Sequence, residues 1–114
     1  MVYNPSTSEI LQSVSNNLPY SISNFSGTGT IDPLVDGQLV RCNATGATFT
    51  LFLPSATGNP GYSYRIVKVD SSPNAVTVQA NPQFNGAGGD VSVSLTTYYG
   101  HLEAISDGTT WINF

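Results

Sequence analysis

The chain has 114 residues, 39% hydrophobic and only 9% charged, with a formal net charge of −4. That length makes one domain with a modest core, and the composition excludes the charge-rich, aromatic-poor make-up of disordered chains. Three basic residues (Arg41, Arg65, Lys68) leave no electrostatic footprint for a phosphate backbone, so no nucleic-acid partner is expected.

In chain order, residues 5–18 are the one helix candidate. Ser6-Thr7-Ser8-Glu9 fits a capping box, in which a hydroxyl and a carboxylate satisfy the free amides of a helix start. Ile10, Leu11, Val14 and Leu18 then fall on one stripe at helical spacing, and Pro19 ends the run. So short a helix is marginal alone, so the stripe needs a surface to dock on. Residues 1–20 are therefore read as an N-terminal arm, helical or extended, that holds a neighbouring protomer or another surface. Residues 21–114 are read as a single β-domain. No run reaches the length of a membrane span, and residues 1–20 lack a signal-peptide layout, so neither membrane nor export is expected.

Residues 20–37 carry short apolar pulses (Tyr20, Ile22, Phe25; Ile31, Leu34, Val35) broken by Gly27-Thr28-Gly29 and Asp32-Pro33, which predicts one or two short strands. From Gly37 the strand pattern is steady, and strands are predicted at 38–43, 47–53, 62–69, 75–80, 91–96, 99–105 and 110–114. Phe49, Leu51 and Leu53 alternate with Thr48, Thr50 and Phe52, a half-buried strand with one exposed aromatic, Phe52, on its polar face. Asn85-Gly86-Ala87-Gly88-Gly89 reads as a flexible turn, and Asp107-Gly108 as a hairpin. Trp111, Ile112 and Phe114 are expected to pack into the body, because so apolar an end is rarely left in water. The fold class is all-β: a β-sandwich or jelly-roll-like barrel of seven to eight short antiparallel strands. No internal repeat is visible.

Three segments between Arg41 and Phe114 also carry a resemblance. Leu53-Pro54-Ser55-Ala56 runs on to Gly58-Asn59-Pro60-Gly61. Tyr64-Arg65-Ile66-Val67-Lys68-Val69-Asp70-Ser71-Ser72 runs on to Asn74 and Val76-Thr77-Val78. The last is Ser106-Asp107-Gly108-Thr109-Thr110-Trp111. In this order they resemble the small β-modules of tailed-bacteriophage virion proteins, found in tail fibres, head fibres and decoration proteins. The resemblance implies a homotrimer located in the virion, and partners among the virion proteins.

The chemistry-bearing residues are few. Cys42 is alone, so no intrachain disulfide exists, and its run Leu39-Val40-Arg41-Cys42 reads as a buried strand where a thiol acts as a small hydrophobe. His101 and Glu103 share a strand face, but two ligands do not close a metal site. Asp70, Asp90 and Asp107 sit at turns, where aspartate bonds its own backbone. Neither a cofactor nor an enzyme is expected. Tyr62, Tyr64, Tyr98, Tyr99 and Trp111 are weighed between core or interface anchors and a saccharide-stacking face. The candidate partner-binding residues are Ile10, Leu11, Val14, Leu18, Phe52, Tyr98 and Tyr99. Two functions from different classes follow. One is a trimeric capsid decoration (cement) protein bound to the major capsid protein or another virion protein. The other is a fibre-associated module recognising a host surface glycan.

Overall fold

Alternation of apolar and polar side chains sorts the chain into strands, and the buried sets decide which way each strand faces. In Phe49-Thr50-Leu51-Phe52 the two odd positions are buried and the even ones half-buried. In Ser63-Tyr64-Arg65-Ile66-Val67-Lys68 the even positions are buried instead. The computed structural model describes residues 21–114, which hold nine strands and no helix. They are β1 (Ile22–Phe25), β2 (Gly29–Thr30), β3 (Leu39–Cys42), β4 (Phe49–Phe52), β5 (Ser63–Lys68), β6 (Val76–Gln79), β7 (Ser92–Leu95), β8 (His101–Ser106) and β9 (Trp111–Asn113). The expected arm at 1–20, with Ile10, Leu11, Val14 and Leu18, lies outside the described residues.

Two sheets form, in the orders β1-β3-β5-β8-β9 and β2-β4-β6-β7. Their inner faces share one core, built from Val40, Cys42, Ile66, Leu102 and Trp111 on one side and Phe49, Leu51, Val76, Val78 and Leu95 on the other. The sandwich-like, all-β expectation is met.

The expected antiparallel pairing is not. Through β6 the chain alternates between sheets, so each strand pairs in parallel with the strand two places back: β1 with β3, β3 with β5, β2 with β4, and β4 with β6. Only then does it reverse, with β7 antiparallel to β6, β8 to β5 and β9 to β8. Turn signals every few residues suggested hairpins because a turn that carries the chain across to the opposite sheet uses the same Gly, Pro and Asn chemistry. The winding also left no sequence repeat: Ile22 pairs with Leu39, but Leu39 pairs with Arg65, so successive turns take 17 and 26 residues.

Three smaller expectations also change. Phe52 is half-buried rather than exposed, on the outer face of the four-stranded sheet beside Thr30. Trp111 is fully buried and Ile112 half-buried, but Phe114 is 72% exposed. The turn at 85–89 is anchored: Gly86 N–H donates to the Thr110 hydroxyl (3.0 Å) and Asn85 Nδ2 to Asn113 Oδ1 (2.7 Å). A side chain at Gly89 would run into the Phe84 carbonyl oxygen, 1.7 Å from where its Cβ would sit.

The six residues of β5 set the length of the body. At about 3.3 Å per residue the two ends of that strand lie roughly 17 Å apart. One end holds Ser21, the 32–36 loop and Tyr62. The other holds Lys68, Asp70 and the Tyr98–Tyr99 turn.

Candidate functional site

The polar groups divide into those spent on the scaffold and those left facing out. Lys68 is the clearest of the first kind. Alternation places it on the inner face of β5, where it is fully buried. Its ammonium donates to the Asp70 carboxylate (3.0 Å), the Asp70 carbonyl (2.9 Å) and the Ser72 carbonyl (2.8 Å), so each of its protons has an acceptor. Asp70 also accepts from the Ala44 amide (2.8 Å), the Ser72 amide (3.0 Å) and the Ser72 hydroxyl. Asn74 Nδ2 ties the same knot to the Ala44 carbonyl (2.9 Å). Burial alone would raise the Asp70 pKa. The bonds from the Ser72 hydroxyl, the Ala44 amide and Lys68 outweigh it and hold the carboxyl well below the usual carboxylate range.

The other motif residues are spent the same way. Asp107 accepts from the amides of Thr109 (2.9 Å) and Thr110 (3.0 Å), which lowers its pKa and closes the β8–β9 turn. Gly108 takes the positive φ of 100° that the turn requires. Trp111 Nε1 donates to the Pro54 carbonyl (2.9 Å), and the Trp111 ring packs 5.9 Å from that of Tyr64. Asn59 Nδ2 bonds the Ser55 carbonyl (2.8 Å). Cys42 is buried; that burial first, and the Asp70 charge second, push its thiol up to about 12, so it stays protonated.

His101 and Glu103 share the outer face of β8, as expected. The Glu103 carboxylate, however, is held by Arg65 Nε at 2.7 Å across the β5–β8 pair. Among the described residues no group of three or more His, Cys, Asp or Glu is placed to hold a metal.

Two surface regions remain. At the Ser21 end, the 32–36 loop is built around two aspartates: the Asp32 amide donates to Asp36 (2.7 Å), and the Leu34 amide to Asp32 (2.9 Å). The Asp36 amide closes the turn on the Asp32 carbonyl (2.8 Å). This ordered loop holds Leu34 (91% exposed) and Val35 (79%) in solvent. Beside it the outer face of the five-stranded sheet carries Ile22, Leu39, Ile105, Ile112 and Phe114, all exposed or half-buried. Leu34 and Val35, expected as strand pulses, lie instead in a turn. Asp32-Pro33 and Asp36-Gly37 around them were the signal for a displayed turn.

At the far end Tyr98 and Tyr99 are both exposed, their rings 4.6 Å apart. Tyr99 has φ 60°, a left-handed backbone that a bulky residue seldom adopts. Of the expected partner-binding residues, the structure brings these two together and places Phe52 on the other sheet. Compared with protein-family models, with curated proteins and with solved structures, the chain matches none.

Proposed function

We propose that the chain is a virion structural protein of a tailed bacteriophage, a trimeric decoration (cement) subunit that binds the assembled shell through its Ser21 end. The observation that carries this reading is the 32–36 loop, which orders its backbone only to hold two aliphatic side chains in water. Such a display costs solubility unless a partner covers it. The apolar rows beside it point the same way. Parallel strands normally have both faces covered, yet β1 and β3 leave Ile22 exposed and Leu39 half-covered at this end. Residues 1–20, with the Ile10, Leu11, Val14 and Leu18 stripe, join the body at this same end. A trimer would add avidity, and binding only the closed shell would stabilise that shell by mass action.

The test is co-sedimentation with assembled heads lacking the protein. The full chain is expected to pellet with heads, and a variant carrying Leu34→Ser and Val35→Ser to remain in the supernatant. Equal binding by both would exclude the loop from the interface. A second reading, a fibre-associated module recognising a host glycan, is favoured by the exposed Tyr98–Tyr99 pair at the opposite end.

A further inference from the structure

The three basic side chains of the body differ in what they face. Lys68 is closed in by Asp70, and Arg65 lies against Glu103. Arg41 is exposed, and its Nη1 donates to a neutral partner, the Asn24 side-chain carbonyl, at 2.9 Å. That bond steers the guanidinium without neutralising it. In a chain of net charge −4, it leaves a positive charge displayed on a surface.

The surroundings of Arg41 form a recess. Asn24, Phe25, Ser26, Arg41, Asn43 and Val69 line a shallow groove of about 250 Å³ on the outer face of the five-stranded sheet. Strand register continues it sideways: Asn24 pairs with Arg41, Arg41 with Val67, and Val67 with His101. At about 4.8 Å per strand, Arg41 and His101 stand roughly 10 Å apart across the half-buried Val67. His101 Nδ1 lies 3.3 Å from the Tyr99 carbonyl, and the Tyr99 amide bonds the Lys68 carbonyl at 2.8 Å, which fixes the tyrosine pair beside this row. Amides and a hydroxyl that both donate and accept, a low apolar floor, two exposed aromatic rings and one cation thus occur together.

We infer that this groove binds a saccharide bearing a carboxylate, with the Arg41 guanidinium on the carboxylate and Asn24, Asn43 and His101 on hydroxyls. The planar fork of arginine matches a carboxylate in two bonds. Asn24 Oδ1 already accepts from Arg41 and Asn43 Oδ1 from the Thr45 amide (2.9 Å), so these side chains would meet hydroxyls through their N–H groups and the second lone pair of each oxygen. Tyr98 and Tyr99 supply faces for the apolar side of a sugar ring. A phosphate-rich ligand fits less well, since one cation lines the groove and the described residues include no helix whose N-terminus could point into it. The left-handed backbone of Tyr99 supports a role for its ring: Gly100 follows directly, and a glycine at 99 would adopt the same turn without strain. This inference deepens the glycan-recognising reading, and needs neither a trimer nor a shell.

The experiment is an amide-resonance NMR titration of the full chain with glucuronate- and sialate-terminated oligosaccharides, their neutral counterparts and inorganic phosphate. Saturable shifts at Asn24, Arg41, Asn43, Val69 and His101 are expected from at least one acidic sugar, with a Kd on the order of 1 mM or tighter. Arg41→Gln is expected to weaken that sugar about tenfold or more while neutral sugars stay unaffected. Tyr99→Gly should keep the melting temperature and lose affinity, separating a binding role from a folding one. No saturable shift with any acidic sugar, equal response to neutral sugars or to phosphate, or an Arg41→Gln variant that binds unchanged would overturn the inference. Because the probe is the isolated chain, either result leaves head attachment to its own test.

Discussion

Lys68 and Asp70 show how a residue's meaning changes once its neighbours are known. In the sequence Asp70 is a turn former, and it does cap the Ser72 amide. Its larger task is to balance an ammonium buried on the inner face of β5. Removing one partner of a buried pair strands the other, so Asp70→Ala is expected to destabilise the fold by about 3–5 kcal/mol, read from urea midpoints. The depressed Asp70 pKa also sets a direction with pH. Its contribution is complete above the unfolded carboxylate value of about 3.9 and fades as pH falls from there toward the folded value. The wild type should therefore lose urea resistance in acid more steeply than Asp70→Asn; parallel pH profiles would count against the pair. Cys42 gives a second check at this scale. Buried and held protonated, it should resist thiol reagents at pH 8 until the chain unfolds; rapid native labelling would contradict its place in the core.

At the scale of elements, the hairpin and the displayed loop behave differently under mutation. Trp111 joins β9 to the Pro54 carbonyl and to the Tyr64 ring from a fully buried position. Trp111→Ala is expected to cost about 3–5 kcal/mol, whereas Phe114→Ala, at an exposed terminus, should leave the melting temperature nearly unchanged. Thermal melts of the two variants check both, and equal losses would put Phe114 back in the core. All seven strands expected from Gly37 onward were readable, because alternation and turn residues are local signals. Pairing was not: whether a turn returns a strand to its own sheet or sends it across depends on which buried faces meet, as with Val40 and Leu51 on opposite walls of one core. Two motif residues were legible by role: Asp107 closes its hairpin and Trp111 packs inside, as expected. Asn59 and Ser72 prove to be scaffold as well, whereas Leu34, Val35 and Arg41, which the resemblance did not mark, face solvent.

For the whole molecule, the polarity of the body organises the proposed function. The Ser21 end carries the apolar display and the junction with residues 1–20; the other end carries Tyr98, Tyr99 and the Arg41 groove. A chain with low surface charge and uncovered aliphatic rows is expected to self-associate, and sedimentation at micromolar concentration should give a trimer; a stable monomer would remove self-association from the account. Deleting residues 1–18 should leave a folded β-body that no longer attaches to heads, because the stripe of Ile10, Leu11, Val14 and Leu18 sits in the segment removed. A deletion variant that binds heads as tightly as the full chain would release that segment from any clamping role. The most direct test of the central claim is to look for the protein by cryo-electron microscopy on intact phage virions, where the proposal places it. The expected result is density for three copies around a local threefold axis of the head, with the Leu34–Val35 loop toward the shell and the Tyr98–Tyr99 turn outward. Density for the protein on the fibres, or on neither head nor fibre, would contradict that claim.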